Sequence, residues 1–302
     1  MAIKTNRARD EGKITIDYER CNACGLCVRV CMGGPLYIED GALKSDRPSD
    51  FGCLACGHCA LVCPKDAISV FGRDLTAKDI VKKPSSPLPS YQGILTLMTT
   101  RRSVRLFEDK EVPRPVIEKI VEAASTAPMG IPPSDVELLI LNGRKKVRDF
   151  SFEIIDEMKK TRWLFSPLSL FLMRPILGKT YYEAMRDFVN PLVTLLVDKR
   201  NEGTNWLLYD APLAIYFYAS PYSDPADSTI AATYAMLAAE SLGLGSTMIG
   251  SVGPFLKYGG KKIKLKYAIP KNHQPGIVVI FGYPKVKFIK AVKRRLGRVN
   301  YF

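Results

Sequence analysis

The sequence has no acidic residue after Glu240, although 13 lysines and arginines lie between Lys257 and Arg298. Most of the net charge of +14 therefore comes from the last fifth of the chain, since residues 1–90 hold 13 basic and 11 acidic side chains. Such a segment is a solvated face, or it binds a phosphate-bearing group, an acidic protein or an anionic membrane surface. No nucleic-acid-binding motif accompanies it, so we expect no nucleic-acid partner.

Other features are also missing. No long apolar run is free of charge and proline, so no membrane-spanning helix is expected. The first residues, MAIKTNRARDEGKITID, contain no apolar signal region, so a reducing cytoplasm is expected. Cysteine is absent outside residues 21–63, where all eight cysteines lie. Cysteines clustered so tightly do not form a disulfide framework for 302 residues, and we interpret them as metal ligands.

The eight cysteines form two runs of equal spacing, C-x2-C-x2-C-x3-C. The first run is Cys21, Cys24, Cys27 and Cys31, and the second is Cys53, Cys56, Cys59 and Cys63. Both resemble bacterial two-cluster ferredoxins, in which the fourth cysteine of each run binds the other cluster. The resemblance assigns Cys21, Cys24, Cys27 and Cys63 to one [4Fe–4S] cluster and Cys53, Cys56, Cys59 and Cys31 to the other. A pair of zinc sites is the alternative, because C-x2-C pairs also bind zinc.

A change of composition divides the chain after the cysteines. Residues 72–90 are polar and contain Pro84, Pro87 and Pro89, which is typical of a semi-rigid linker. We predict a two-cluster domain at 1–71, a linker at 72–90 and a second domain at 91–302. In the second domain we predict helices at 116–125 and 229–242 and buried strands at 136–141, 214–219 and 277–281. This alternation favours a sandwich with helices over a central sheet.

Four short motifs in the second domain occur in a recognisable order. They are Arg101–Phe107 (RRSVRLF), Ala127-Pro128, a glycine-rich turn at 242–250 (LGLGSTMIG), and Gly282-Tyr283-Pro284 before the basic tail. Together they resemble the nitroreductase-like family of FMN-dependent oxidoreductases, and the whole chain is similar to ferredoxin–nitroreductase fusions of anaerobic microbes. The implied fold is α+β: a small ferredoxin-like two-cluster domain followed by a nitroreductase-like α/β sandwich with a central, mostly antiparallel sheet.

The resemblance also implies where FMN binds. It places Arg101, Arg102 and Ser103 on the phosphate and ribityl chain, Arg105 at the polar edge of the ring, and Lys293, Arg294 and Arg295 in a phosphate clamp. It places the backbone of Thr247, Met248, Ile249 and Gly250 beside the ring, and a further contact at Pro128, Met129 and Gly130. The family commonly has Asn or Gln near this last contact, so a more apolar pocket is predicted. Arginine forks suit a phosphate, and donors near the ring stabilise reduced flavin.

Residues 150–210 occupy the position where the family inserts helices over the flavin. The segment is unusually apolar between Trp163 and Leu177, but it is too short and interrupted to span a bilayer. It packs across a dimer interface, caps an apolar substrate, or rests on a membrane surface beside the basic tail. Tyr181, Tyr182 and Phe188 are candidate pocket residues.

The combined resemblance implies a homodimer that takes electrons from a ferredoxin or similar low-potential donor through two [4Fe–4S] clusters to FMN. The acceptor is expected to be a small conjugated molecule such as a nitroaromatic, quinone or activated alkene. No catalytic side chain is assigned, and residues 243–245 lack the rest of a dinucleotide fingerprint. The alternative is an electron-transfer module of a larger complex without a small-molecule substrate. Oxygen-dependent flavin chemistry is a third interpretation, which oxygen-labile clusters disfavour.

Overall fold

The computed structural model describes residues 3–302, apart from the side chains of residues 164, 165, 167, 176 and 177. Its internal contacts separate two compact units. The cluster unit comprises residues 3–88 with Pro128–Val136 and Ala219–Asp227, and the sheet unit comprises Pro89–Ala127, Glu137–Tyr218 and Ser228–Phe302. Two short segments of the predicted second domain thus belong with the cysteines. The predicted domain limits stay a prediction, because internal contacts define compact units and not independently folding domains.

Four short strands form two antiparallel pairs in the cluster unit. Strand β1 (Lys13–Ile16) pairs with β4 (Ile68–Phe71), which joins the two ends of the cysteine block. Strands β2 (Tyr37–Glu39) and β3 (Ala42–Lys44) form a hairpin. Its two-residue turn is Asp40-Gly41, and both residues have positive φ, as this tight hairpin turn requires.

In each cysteine run, one short helix carries the third cysteine, Cys27 or Cys59. Helix α1 (Leu26–Val30) follows Gly25, and α2 (His58–Leu61) follows Gly57; both glycines have left-handed backbone conformations. A small core forms where the buried parts of these helices meet Leu36, Leu43, Ile68 and Val70. Small cores of this kind are commonly supplemented by metal–ligand bonds.

The sheet unit contains a four-stranded sheet in the order β5-β6-β8-β7. The strands are β5 (Val136–Asn142), β6 (Leu213–Ala219), β7 (Gly245–Ile249) and β8 (Gln274–Gly282). Every residue of the inner strand β6 is buried, as are the last five residues of β8. Strands β7 and β8 are antiparallel, with Thr247 opposite Ile280. These elements agree with the predicted α+β class and the three predicted strands.

Eight helices of the described residues follow in chain order. They are α3 (Tyr91–Thr100), α4 (Arg114–Ser125), α5 (Arg144–Thr161), α6 (Pro167–Ala184), α7 (Asn190–Asn201), α8 (Asp227–Ser241), α9 (Val252–Tyr258) and α10 (Lys261–Lys266). Helix α4 shows the pattern on which the prediction of residues 116–125 depends, because Ile117, Ile120 and Ala124 are buried on one face. Proline in its first turn is tolerated, since N–H groups there have no partner within the helix.

The predicted lid consists of α6 and α7 with the end of α5. A 3₁₀ turn (Arg162–Phe165) and a π-helical turn (Met185–Val189) join these helices, and α6 is interrupted at Gly178, whose φ is 72°. Trp163, Phe171, Tyr181 and Phe188 are each more than 60% exposed, whereas Tyr182 is half-buried. Among the described residues, none of the helices has the length and apolar character needed to cross a membrane.

The prediction of a glycine-rich turn over residues 242–250 is wrong for most of that segment. Gly243, with a φ of 77°, makes the turn after α8, but Gly245–Ile249 continue as strand β7. Pairing with β8 occupies the backbone groups on one side of this strand. Because β7 is the last strand of the sheet, its other side pairs with no further strand and contacts Ser103 and Val104 only near Ser246 and Thr247. Gly250 follows directly after β7.

Replacing Gly245 with alanine is expected to destabilise the sheet unit by about 1–3 kcal/mol, because this position is overpacked. A Cβ atom there would lie 2.5 Å from Val104 Cγ2, whereas one at Gly250 would meet nothing within 4 Å. Gly250→Ala is therefore the matched control. Urea unfolding of the apoprotein, followed by the fluorescence of Trp163 and Trp206, measures the difference. Equal unfolding midpoints for the two variants would contradict the packing.

Candidate functional site

The two cysteine loops share one backbone conformation. In the first loop Ala23 and Gly25 have positive φ, 52° and 76°, and in the second loop Ala55 and Gly57 match them at 50° and 76°. Alternating left-handed residues turn successive N–H groups toward a common concavity, which is an anion-binding arrangement. The Ala55 N–H donates to Cys53 Sγ over 3.4 Å. Each loop is therefore shaped to surround a sulfur-rich, negatively charged group.

The folded loops group the cysteines crosswise. Cys21, Cys24, Cys27 and Cys63 line one cavity, together with Leu43 and Ile68. Cys31 interacts electrostatically with Cys53, Cys56 and Cys59 of the other run. The structure thus brings together the same two sets of four that the ferredoxin resemblance assigns to its two clusters.

The thiol groups are costly to ionise without a cation. Burial, together with the neighbouring Cys31, raises the pKa of the Cys59 thiol to about 12. Burial likewise raises the pKa values of Cys27, Cys31 and Cys53. Metal ligation requires thiolates, so iron would supply the positive charge that the surrounding protein does not.

Within the described part of the chain, no three His, Cys, Asp or Glu side chains are close enough to hold one metal ion. Thiols too far apart to share one metal ion are compatible with [4Fe–4S] clusters, because each thiolate of a cubane binds a different iron. Thiolates on a single zinc ion share one tetrahedron, with zinc–sulfur bonds of about 2.3 Å.

In the sheet unit, the motif at residues 101–107 lies along the outer side of β7 and the end of β8. Val104 N–H donates to Ser246 O over 3.2 Å, and Thr247 Oγ1 donates to Val104 O over 2.6 Å. At the other end of the motif, Phe107 pairs with Pro284. Gly282 permits this approach, since a Cβ atom there would lie 2.7 Å from Phe107. Three motifs that are far apart in sequence therefore meet at one edge of the sheet.

The arginines of this motif form a cluster of like charges. Burial lowers the pKa of the Arg101 guanidinium, and nearby Arg294 and Arg102 lower it further. Arg102 Nη2 also donates to Val292 O over 3.5 Å, which holds the basic tail next to the motif. Arg101 Nη1 is buried and has no hydrogen-bond partner among the described residues. A bound phosphate would satisfy this donor and offset the repulsion, so the residues fit the phosphate group of FMN.

Glu240 is a member of this cluster that sequence reasoning missed. Arg101 lowers the pKa of the Glu240 carboxyl, while burial raises it by a larger amount. One carboxylate beside Arg101 adds a single negative charge to a cluster of three arginines. Glu240 lies near the end of α8, and no local pattern distinguishes it from an ordinary helical glutamate.

The remaining residues predicted to bind flavin lie outside the cluster of Arg101, Arg102 and Arg294. Arg105 is exposed, with its guanidinium 5.7 Å from the centre of the Tyr209 ring, and Lys293 and Arg295 lie in the exposed tail. Thr247, Met248 and Ile249 are in β7 and Gly250 follows it, whereas Ser103 bridges to Ser246. Pro128, Met129 and Gly130 are exposed and belong to the cluster unit.

Family models cover most of the chain. The nitroreductase family model matches residues 98–283, and the model of the 4Fe–4S dicluster domain matches residues 13–67. A Methanothermobacter thermautotrophicus protein named as an NADH dehydrogenase/NAD(P)H nitroreductase is 26% identical over 201 residues, which is 65% of this chain and 79% of the relative. A ferredoxin of Methanothermococcus thermolithotrophicus is 36% identical over 59 residues, 19% of this chain and 95% of the ferredoxin.

Solved structures agree on the fold. A Bacteroides fragilis nitroreductase with bound FMN has a TM-score of 0.50 at 20% identity, covering 69% of this chain and 98% of its own. A Desulfitobacterium hafniense nitroreductase with bound FMN also has a TM-score of 0.50, at 19% identity, with coverage of 69% and 97%. The predicted fusion and fold class are confirmed by these matches. Since the nitroreductase model spans more than half of the sequence, the chain belongs to the nitroreductase family and carries a 4Fe–4S dicluster domain ahead of its nitroreductase domain.

Proposed function

We propose that this oxidoreductase takes electrons from a ferredoxin-type donor through two [4Fe–4S] clusters to FMN and on to a conjugated organic acceptor. The observation that carries the proposal is the presence in one chain of two features. One is the crosswise pair of cysteine groups, and the other is the unneutralised arginine cluster at the edge of the nitroreductase sheet. Bound FMN supplies the exchange between one-electron and two-electron chemistry.

The arginine cluster binds the phosphate of FMN in this proposal. Arg101 offers a buried donor without a partner, and Arg102 and Arg294 add charge from the motif and the tail. Planar guanidinium groups bind phosphate through paired hydrogen bonds, which fixes its orientation as well as its position. Glu240 adds one negative charge beside Arg101, and the three arginines together keep the site positive.

Backbone groups at the outer side of β7 and at Gly250 are the proposed donors to the polar edge of the flavin ring. They are held by the sheet, so their directions are fixed before the cofactor binds. Arg105 is the proposed charged partner of the same edge, and the Tyr209 ring beside it restricts its guanidinium. The chain's role here is to orient the ring and to favour its reduced, negatively charged form.

The cysteine loops hold the clusters in partly apolar surroundings, in which Cys24 and Cys56 remain exposed. Leu43 and Ile68 cover the cavity of the first group, and Cys27 and Cys59 are themselves buried. Apolar surroundings raise the cost of adding charge to a cluster, whereas the N–H groups of the left-handed loops lower that cost. The balance of these two effects sets how readily each cluster accepts an electron.

A flat, apolar acceptor such as a nitroaromatic, quinone or activated alkene is proposed. The support is chemical: Met129 and Gly130 stand where the family commonly has a small residue and then Asn or Gln, and the helices of residues 150–210 expose Phe171 and Tyr181. The nitroreductase name of the methanogen relative points to the same class of acceptor. No ionisable side chain is assigned a catalytic role, so proton supply from solvent is proposed.

A homodimer is proposed because two elements of the sheet unit carry apolar side chains that are not buried within this chain. Helix α3 has no buried residue, although Tyr91, Ile94 and Met98 lie on it. The tail after Pro284 is exposed throughout, and Ile289 and Leu296 are 92% and 80% exposed. Several exposed apolar side chains on one element are typical of an interface with another chain.

Arg101→Met is expected to weaken FMN binding by about 10–100-fold, since charged hydrogen bonds to the phosphate are lost. Binding of riboflavin, which lacks the phosphate, should change little. Flavin fluorescence titration of the apoprotein measures both dissociation constants. Arg114→Met is the control, because Arg114 lies in the same unit and pairs with Glu118 on the exposed surface over 2.8 Å. Equal losses for FMN and riboflavin would refute the phosphate contact.

The purified protein is expected to hold about eight iron atoms, eight acid-labile sulfides and one FMN per chain, as two cubanes and one flavin require. Under anaerobic conditions, protein reduced with dithionite should be reoxidised by a nitroaromatic or a quinone, followed by flavin absorbance. Zinc in place of iron would overturn the cluster assignment, and absence of flavin would overturn the FMN proposal. Full cofactor content without reoxidation by any small acceptor would favour the electron-transfer module instead.

Ile289→Asp combined with Leu296→Asp is expected to raise the dimer dissociation constant about a hundred-fold, because unpaired charges would be buried in the interface. Sedimentation velocity over a concentration series measures this constant. Leu265→Asp is the control: Leu265 is 84% exposed but lies on the short helix α10. A wild-type monomer at all concentrations would contradict the proposed dimer, and an equal effect of the control would contradict the role of the tail.

A further inference from the structure

Arg73 is buried in the cluster unit although the sequence places it in a polar linker. It is only 6% exposed. The guanidinium donates through Nη1 to Ile3 O and Asp10 O, over 2.9 Å each, and through Nε and Nη2 to Pro132 O, over 3.3 and 2.7 Å. A buried guanidinium is stable only while its donors are satisfied, so these bonds hold residues 3–10 against the turn after β4.

The chain after Asp10 lies directly on the second cysteine loop. Gly12 N–H donates to Cys53 O over 2.7 Å. A Cβ atom at Gly12 would lie 2.7 Å from that of Ala55, so the two backbones are in direct contact. The residues on both sides of Glu11 are therefore anchored, and the backbone of Glu11 is held at the loop.

The Glu11 carboxylate lies against the residue that precedes the ligand Cys53. This residue is Gly52, and a Cβ atom there would overlap Cδ and Oε2 of Glu11. Gly52 has a φ of 65°, and its lack of a side chain leaves room for the carboxylate. Burial raises the pKa of the Cys53 thiol, and the negative charge of Glu11 adds to this effect. Contact and charge thus both place a carboxylate beside one ligand of the second cluster.

The first group of cysteines differs in its charged neighbours. Among the described residues, the lining of its cavity includes Lys65 and no carboxylate. The cleft beside Cys31, on the other side of the second group, is lined by both Arg47 and Asp50, whose opposite charges offset each other. The two loops share one backbone conformation, but only the second has Glu11 held against it.

We infer that Glu11 lowers the reduction potential of the second cluster, to which Cys53 is a ligand, and that Arg73 is the positioning residue that keeps Glu11 there. Reduction adds one electron to the cluster, beside a carboxylate that is already negative, so the reduced form is disfavoured. A cluster of lower potential passes its electron on more readily. The electron comes from the ferredoxin-type donor of the proposed function, on which this inference rests, and no further reductant is needed.

The first test measures the potential of each cluster in the full-length protein with its cofactors. In an anaerobic redox titration, cysteine labelled with carbon-13 at Cβ gives a paramagnetically shifted NMR signal for each ligand, which follows the two clusters separately. Glu11→Gln is expected to shift the one-electron reduction equilibrium of the second cluster about five-fold toward the reduced form, or about 41 mV at 59 mV per ten-fold change. The first cluster should change less than about two-fold, because solvent screens the more distant charge.

Asp10→Asn is the matched control. It removes the same charge from the adjacent residue, which is exposed like Glu11, but the atoms nearest to a Cβ at Gly52 all belong to Glu11. Both potentials of this variant should stay within about two-fold of wild type. A shift as large as that of Glu11→Gln, or a Glu11→Gln variant with no shift or with equal shifts of both clusters, would overturn the role of Glu11.

Arg73→Lys tests the positioning role, because lysine keeps the positive charge but lacks the planar fork. Hydrogen exchange of residues 3–12 should become about ten-fold faster. The potential of the second cluster should move in the same direction as in Glu11→Gln, and the double variant should show no further shift. If Arg73→Lys binds less iron than wild type, its exchange measurement alone decides.

Unchanged exchange of residues 3–12 in Arg73→Lys would overturn the positioning role, as would faster exchange with a wild-type potential. Failure of the reduced clusters to pass electrons to FMN in the wild-type protein would refute the proposed function instead. The measured potentials would then still decide whether Glu11 acts on the second cluster.

Discussion

In both units of this protein, groups that carry the same charge when ionised lie close together. The described residues provide few counter-ions for them. In the cluster unit, buried cysteines such as Cys59 cannot ionise easily because burial and neighbouring thiols raise their pKa values. In the sheet unit, Arg101 and Arg294 repel each other, and one Arg101 donor is buried without a partner among the described residues. Each site is therefore complete only with a ligand of opposite charge: cationic iron for the thiols and an anionic phosphate for the arginines.

The parts of these sites that could be predicted from the sequence are local. Cysteine spacing reflects how a tight loop surrounds a cluster, and the left-handed Ala23 and Ala55 show why that spacing recurs in both loops. The motif at residues 101–107 is local in the same sense. Glu240 and Arg73 could not be predicted, because a helical glutamate and a linker arginine gain their roles only from residues more than fifty positions away.

Strand β7 shows a different limit of sequence reasoning. Three glycines and small side chains at 243–250 favour a turn locally, yet Gly245 is required for another reason: the Val104 side chain lies where its Cβ atom would be. Close approach of two backbones and a left-handed turn both select glycine. Only the tertiary packing distinguishes these causes, since Gly243 has a positive φ and Gly245 does not.

Fusing the clusters to the flavin-binding domain removes the need for a diffusional encounter between them. A linker keeps the clusters in the neighbourhood at an effective concentration in the millimolar range, so each transfer becomes intramolecular. It does not fix the distance over which an electron moves, and transfer rates fall steeply with that distance. Arg73 lies at the start of the predicted linker, but its contacts with Ile3, Asp10 and Pro132 restrict the chain at that point. The proline-rich residues 84–89 then supply the tether, which begins at a point that the buried guanidinium holds in place.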